Sequence, residues 1–285
     1  MGCRGNRTFR LRSYSDQRLI ETVGNNLDCL LEMLKFNVVN NLMFFRITSD
    51  LVPFASHPVC RFDWLSYFKE QFLAVGTFIK SNNIRISMHP GQYTVINSFD
   101  NGIVARSIRE LQYHTDLLDA LGLDQSAKAQ IHVGGVYDDK DKSARRFIDR
   151  YHNLEKAIKR RLVIENDDRS YSLDDCLKIH DETGLPVLFD TYHNEANKSG
   201  YSTADGLAAI ANTWHDHDGI PMVDYSDYRA AGPKASHAES IDISNFVRFL
   251  RATKSHDCDI MLEIKDKEQS ALRAVEVARH DKRFL

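Results

Sequence analysis

The chain has 285 residues, of which 42% are hydrophobic and 27% charged, and its formal net charge is −3. This composition is typical of a soluble globular protein and excludes a disordered or fibrous chain. No apolar run approaches the ~20 residues of a membrane span, and the N-terminus lacks the apolar stretch of a signal peptide. We therefore expect a cytoplasmic protein with no membrane partner.

Apolar runs typical of buried strands alternate with segments of helical period along the whole chain. The predicted strands are 42–47, 84–88, 130–133, 162–164, 187–189, 221–223 and 260–264. The predicted helices are 19–34, 64–79, 103–121, 144–158, 172–183, 203–214, 241–250 and 267–280.

The regular alternation, with no Pro/Gly/Ser-rich linker, predicts an α/β fold with a parallel sheet. A TIM (β/α)8 barrel that forms a single domain over 1–285 is favoured over a doubly wound open sheet. Seven strands are visible instead of eight. The segment before the first helix is basic and Gly-rich, so we expect the first strand to be missing or irregular.

The five cysteines are an odd number, widely scattered, with no CxxC pair. We expect reduced thiols, and neither a disulfide framework nor a zinc finger. Basic residues crowd the first eighteen positions and the predicted helix around 145–161. This helix is either a solvated face or a surface that follows DNA phosphates, and the pattern alone leaves both interpretations open.

Polar residues follow the predicted strands at the ends where barrel enzymes carry their catalytic groups. Without cations, four acids gathered at one rim would repel one another. Imidazole mixed with carboxylate favours zinc or manganese over calcium. His193 and His237 lie in loops at the same rim. The candidate ligands at six successive strand ends are His89, His132, Glu165, Asp190, Asp224 and Glu263.

The segment His215-Asp216-His217-Asp218 also has the composition of a metal motif. It precedes a strand, however, and so belongs to the opposite face of a barrel. We expect it to be an inert solvated loop.

Seven stretches of the chain resemble the UV damage endonucleases, a DNA repair family of the xylose-isomerase-like TIM-barrel superfamily. They are RITSDLVPFASHP (46–58), RISMHPGQYTVINS (85–98), IHVGGVY (131–137), LVIENDDRSYSLDDCLKIH (162–180), PVLFDTYHN (186–194), KASHAESID (234–242) and DIMLEIKDKEQSAL (259–272). Met222 and Asp224 depart from the family, because many relatives carry Lys and His there. Relatives also begin with a strand similar to Leu-Gly-Tyr, which this chain lacks.

The resemblance implies up to three divalent ions, with Mn²⁺ expected first and Zn²⁺ or Mg²⁺ as alternatives. It implies that Glu165 bridges the first ion and the second, and that a third ion is also bound. The implied ligands are His89, His132 and Glu165 for the first ion, Asp190, Asp224 and Glu263 for the second, and His193 and His237 for the third.

The resemblance also implies roles in catalysis and DNA binding. Gln92 and Tyr93 match the pair that the family inserts into the duplex at the lesion. Lys234 and Lys265 are expected to contact phosphate, an expectation based on their positions only, and Arg46 is expected to bind substrate. The expected catalytic residues are Glu165, Glu263, His57 and Lys265.

The implied activity is hydrolysis of double-stranded DNA 5′ to UV photolesions, and also at abasic sites, leaving a 3′-hydroxyl and a 5′-phosphate. No obligatory protein partner is implied. Two alternatives stay open. One is a metal-dependent sugar isomerase or epimerase with the same barrel, and the other is a protein that binds lesions without cutting.

Overall fold

A computed structural model describes residues 3–137, 139–197, 199–227 and 237–284. The elements up to the third strand are a 3₁₀ helix (Leu11–Ser13), α1 (Asp16–Val39), β1 (Phe44–Ile47), α2 (Trp64–Tyr67), α3 (Lys69–Ser81), β2 (Arg85–Met88), α4 (Asn101–Ala120) and β3 (Lys128–His132). Those that follow are α5 (Lys140–His152), α6 (Lys156–Lys159), β4 (Leu162–Glu165), α7 (Leu173–Thr183), β5 (Val187–Asp190), α8 (Thr191–Asn197), α9 (Thr203–Ala211), a 3₁₀ helix (Asp216–Asp218), β6 (Met222–Tyr225), α10 (Ile243–Ala252), β7 (Asp259–Leu262) and α11 (Glu268–Ala278).

The seven predicted strands are confirmed, with bounds that differ by at most two residues. The chain divides into two compact units. The first contains Met1–Ile131 and Asn153–Leu162, and the second contains His132–His152 and Val163–Leu285.

In the first unit, parallel strands follow one another in chain order. Phe44 pairs with Arg85 between β1 and β2, and Ser87 pairs with Lys128 between β2 and β3. Helix α1 covers this unit with an apolar stripe whose members are fully or almost fully buried. The stripe consists of Leu19, Val23, Leu27, Leu30 and Leu34.

In the second unit, β4 to β7 are also parallel and also follow chain order. All four residues of β4, β5 and β6 are buried, which explains their continuous apolar runs. The register places Asp190 of β5 directly beside Asp224 of β6. The carboxyl ends of these strands therefore bring the polar residues of this unit to one edge.

The described residues that precede α1 contain a 3₁₀ helix and no strand, as predicted. This segment is fixed to α1 by Asn26, whose side chain is fully buried. The Asn26 side chain accepts a hydrogen bond from the N–H of Arg7 at 2.9 Å and donates to the Arg7 carbonyl at 3.0 Å. One buried amide thus satisfies the backbone N–H and the carbonyl of Arg7.

The prediction of five reduced cysteines is wrong for two of them. Cys3 and Cys29 form a disulfide, with 5.7 Å between their Cα atoms. They meet because the N-terminal segment folds back along α1, a contact between residues 26 positions apart that no spacing motif signals. Cys60, Cys176 and Cys258 are free thiols.

The helix predicted over 144–158 is two helices, α5 and α6, which belong to different units. Helix α8 was not predicted. It begins directly after β5 because the Asp190 carboxylate accepts the His193 N–H at 2.8 Å, as an N-cap side chain does. No helix in the described part of the chain is long and apolar enough to span a membrane.

Several cations of the basic segment 145–161 have acidic partners in the same unit. Arg145 pairs with Glu182 on α7, and Arg160 pairs with Asp119. Arg161 is 2% exposed, pairs with the same aspartate, and donates to the Ala127 carbonyl at 3.0 Å. These contacts give the three arginines structural roles.

Candidate metal centre

Three acids of the second unit converge at the carboxyl ends of β5, β6 and β7. One carboxylate oxygen from each of Asp190, Asp224 and Glu263 lies within 4.8 Å of the others. Asp190 and Asp224 are 2% and 1% exposed. Burial raises the pKa of Asp190 well above its ordinary value, and the charges of Glu263, Asp224 and Glu165 raise it further. Such a cluster is costly unless a proton or a cation neutralises it.

His132 and Glu165 form a second pair in the same unit, at the ends of β3 and β4. The Nε2 atom of His132 lies 3.0 Å from Oε1 of Glu165, which is 1% exposed. Burial lowers the pKa of His132, but the charge and hydrogen bond of Glu165 outweigh it and raise the pKa to about 9. Without a cation in the centre, a protonated His132 would offset the charge of the buried Glu165.

His193 and His237 lie beside the acids of this unit. Nδ1 of His193 is 3.2 Å from Oδ2 of Asp190, and Nε2 of His237 is 3.3 Å from Oε2 of Glu263. Among the described residues, the buried Nδ1 of His237 has no hydrogen-bond partner. Each candidate imidazole of this unit thus faces a candidate carboxylate.

The donor set fits divalent cations. Asp190 and Asp224 are buried and Glu263 is partly buried, and one carboxylate oxygen from each lies within the reach of one ion. With Glu165, these acids outnumber the three neighbouring imidazoles. Hard carboxylate oxygens mixed with imidazole nitrogens are typical ligands of Mn²⁺, Zn²⁺ and similar metals. The second unit therefore contains a candidate metal centre formed by Asp190, Asp224 and Glu263 together with His132, Glu165, His193 and His237.

Asn166 is a residue of this centre that the sequence analysis missed. It is fully buried, and its side chain donates to the Asp190 carbonyl at 2.9 Å and accepts from the Asp190 N–H at 3.0 Å. Its own carbonyl lies 3.0 Å from Nδ1 of His193. Asn166 therefore fixes the backbone of one candidate ligand and the ring of another. Its position directly after the strand-end Glu165 was the available signal.

The predicted site residues His57, His89 and Arg46 belong to the first unit. They line a cavity of about 600 Å³. The Ser49 hydroxyl donates to the His89 carbonyl at 2.7 Å, and Nη2 of Arg46 donates to Gln130 at 2.9 Å. His57 is exposed on the loop after β1. The first unit thus brings these three residues to a single cavity.

Gln92 and Tyr93 form an exposed turn after β2, and Tyr93 is 84% exposed. An aromatic side chain this exposed contributes little to the packing of the first unit. Lys265 pairs with Glu239, with 2.5 Å between Nζ and Oε1. Lys234, expected to contact phosphate, lies outside the described residues.

The segment 215–218 forms a 3₁₀ turn closed by its own side chains. The Asp218 carboxylate accepts the His215 N–H at 3.2 Å and lies 3.4 Å from Nε2 of His217. Asp218 is buried, so the turn is less solvated than expected.

The sequence matches the family described as UV-endonuclease UvdE over residues 5–282. The chain belongs to this family. It is 40% identical to the UV DNA damage endonuclease of Clostridium perfringens over 95% of this chain and 66% of that protein. The corresponding figures for the protein of the same name from Bacillus cereus (strain Q1) are 34%, 91% and 83%. The chain thus spans about two thirds of the length of the first relative and more of the second.

The crystal structure of SacUVDE is 43% identical to this chain and matches 98% of it and 94% of that chain, with a TM-score of 0.93. The TIM-barrel prediction is thereby confirmed. Endonuclease IV from Thermus thermophilus covers 88% of this chain and 93% of its own, at 18% identity and a TM-score of 0.57. The structure of a D-psicose 3-epimerase from Clostridium cellulolyticum covers 88% of this chain and 92% of its own, at 12% identity and a TM-score of 0.58. These two likenesses show the fold alone.

Proposed function

We propose that this UvdE-family chain is a metal-dependent DNA repair endonuclease. It would nick the backbone of double-stranded DNA 5′ to UV photolesions and at abasic sites, leaving a 3′-hydroxyl and a 5′-phosphate. The observation that carries the proposal is the convergence of the buried Asp190 and Asp224 with the partly buried Glu263 in a member of this family.

Up to three divalent ions, with Mn²⁺ favoured over Zn²⁺ and Mg²⁺, would be held by the candidate ligands. Asp190, Asp224 and Glu263 would hold one of them. When bound, the ions would neutralise the target phosphate and stabilise the negative charge that develops on the leaving oxygen. The remaining ligands in the second unit would be His132 with Glu165, and His193 with His237. His89 of the first unit stays a prediction of the family resemblance.

The protein's own residues would position these ligands and the DNA. The buried Asn166 amide holds the Asp190 backbone, so the carboxylate has little freedom to move when substrate binds. Gln92 and Tyr93, on their exposed turn, would enter the duplex where a lesion weakens stacking. A distorted step costs less to open, which would supply selectivity.

The catalytic roles of Glu165, Glu263, His57 and Lys265 are part of the proposal, as are DNA contacts by Arg46 and Lys234. Lys265 would exchange its partner Glu239, which is largely exposed, for a phosphate. The pair is solvated, so the exchange costs little.

We also propose that residues 1–285 act as one endonuclease domain without an obligatory protein partner. The family match over 5–282 supports this, because it runs through both compact units. The site of action would be the cytoplasm, at the nucleoid in a prokaryotic cell, since that is where the proposed substrate lies.

The test is nicking of UV-irradiated supercoiled plasmid with Mn²⁺, comparing the parent with Glu165→Gln. Nicking that requires irradiation and is lost in the variant supports the proposal. The matched control is Asp168→Asn, which neutralises a nearby acid that pairs instead with Arg169. This variant should nick as the parent does.

Three outcomes would overturn the proposal. Equal nicking of irradiated and undamaged plasmid would argue against lesion recognition. Retarded migration of irradiated DNA without cleavage would favour a binding protein. Turnover of a sugar with no effect on DNA would favour the isomerase or epimerase alternative.

A further inference from the structure

The loop between β2 and α4 presents two aromatic side chains to solvent. Tyr93 is 84% exposed and Phe99 is 65% exposed. Between them, Thr94, Ile96, Asn97 and Ser98 are buried. The middle of the loop is therefore anchored in the first unit while both aromatic side chains project outward.

Hydrogen bonds fix this loop to the start of α4. The Val95 N–H donates to the Ser107 hydroxyl at 2.9 Å. Asp100, which directly follows Phe99, caps α4 by accepting the Gly102 N–H at 2.6 Å and the Ile103 N–H at 3.1 Å. Phe99 is thus held at the mouth of a capped helix, and little backbone freedom would be lost when it contacts a partner.

Two arginines continue this surface along α4. Gly102, Arg106 and Arg109 recur at helical spacing on one exposed face. Nη1 of Arg106 lies 3.5 Å from the position that a Cβ on Gly102 would take. Nε of Arg109 donates to the carbonyl of Ser56 at 3.3 Å. The guanidinium groups therefore place positive charge on the helix that follows the aromatic loop.

Neither Arg106 nor Arg109 forms an ion pair with an acid in the described part of the chain. The acids nearest in sequence are otherwise engaged, because Asp100 caps the helix and Glu110 accepts from the Ser56 hydroxyl. This distinguishes the two arginines from Arg145, whose charge is neutralised by Glu182. Guanidinium groups without an acidic partner, on the helix that follows an exposed aromatic ring, match the phosphate, sugar and base groups of a nucleic acid.

We propose that Phe99, Arg106 and Arg109, here called the α4 surface, bind the DNA duplex next to the lesion. Phe99 packs on a sugar or an unstacked base, and the arginines bind backbone phosphates. The proposal rests on the proposed function and adds a second contact region to the Gln92–Tyr93 turn. Gln92 and Tyr93 would read the lesion, whereas Arg106 and Arg109 would add affinity for damaged and undamaged DNA alike.

The test is equilibrium binding by fluorescence anisotropy of a duplex with one thymine dimer and of its undamaged counterpart, with EDTA present to prevent cleavage. The double variant Arg106→Ala/Arg109→Ala should weaken binding to both duplexes. It should also reduce the slope of log K against log [salt] by about 2, close to one unit for each lost phosphate contact. Arg106→Lys should keep the slope.

Phe99→Ala should weaken binding at least about fivefold, the effect of losing one aromatic–base contact, and should leave the salt slope unchanged. Phe99→Trp should retain the parent's affinity, and Phe99→Leu should not. Two control variants change exposed side chains elsewhere. They are Val39→Ala, which removes an 81% exposed apolar group, and Arg273→Ala on α11.

Circular dichroism melting checks that each variant is folded, since a surface change should leave the melting temperature unaltered. Parent-like affinity and salt slope in the folded α4-surface variants would overturn the proposal. Plasmid nicking by the parent, measured in parallel, tests the proposed function separately. A parent that binds DNA without nicking it would refute the endonuclease and leave the α4 surface supported by its binding data.

Discussion

The acids of the candidate metal centre predict an unusual response to the substitution Asp190→Asn. At 4.8 Å and an effective dielectric constant of about 20, each pair of ionised acids costs about 3.5 kcal/mol. An ionised Asp190 facing Asp224 and Glu263 would therefore cost about 7 kcal/mol without a cation. Asparagine removes this charge and keeps an oxygen that can accept the His193 N–H.

The sign of the stability change should depend on metal. In EDTA at neutral pH, the variant's free energy of unfolding should exceed that of the parent by at least about 1 kcal/mol. For a chain of this size, this corresponds to a melting temperature about 2–4 °C higher. Protonation of Asp190 in the parent limits the gain, because its pKa is already raised by burial and by the neighbouring acids. With Mn²⁺ the order should reverse, since the parent binds the ion and the variant has lost a ligand.

The assay is thermal unfolding followed by circular dichroism, with EDTA and across a Mn²⁺ titration. Asp168→Asn serves as the control because its carboxylate lies outside the cluster, and it should respond to Mn²⁺ as the parent does. A loss of stability in Asp190→Asn that is equal with and without Mn²⁺ would refute the reasoning. The acids would then be held by hydrogen bonds and protons, and not by cations.

Two further predictions concern the scaffold. Gly76→Ala should destabilise the protein by more than about 2 kcal/mol in urea denaturation, because the new Cβ would lie 1.7 Å from the carbonyl oxygen of Leu121. Gly24→Ala on α1 should stabilise the protein by about 0.5–1 kcal/mol, because nothing lies within 4 Å of the new Cβ. Equal effects at the two glycines would contradict this account. Hydrogen bonds from Arg283 hold the pKa of Asp281 at about 2. The ionised Asp281 therefore stabilises the folded protein above the unfolded pKa of about 3.9, and this stabilisation is lost as pH falls towards about 2. The melting temperatures of the parent and Asp281→Asn should therefore converge between pH 5 and pH 2, and a constant difference would refute the assignment.

Local sequence signals determined the secondary structure well. The pair Ser172 and Asp175 predicts a capping box, and both of its hydrogen bonds are present at the start of α7. Gly184 ends the same helix with a φ of +71°. These features depend on residues within a few positions of one another, so a single sequence contains the information that specifies them.

The parallel topology carried the prediction further, from elements to candidate ligands. Once consecutive strands are parallel and adjacent, their carboxyl ends meet, and this places Asp190 beside Asp224 in the second unit. The alternation of strands and helices determines this strand order without any knowledge of side-chain contacts.

Tertiary structure alone decided which polar groups are paired. The disulfide between Cys3 and Cys29, the bonds of Asn166 to the Asp190 backbone and the pairing of Arg161 with Asp119 join residues 26, 24 and 42 positions apart. None of these separations follows a helical or strand period. Such partners meet only when the chain has folded, because burial removes water as the competing partner and leaves each polar group to the neighbour that packing supplies.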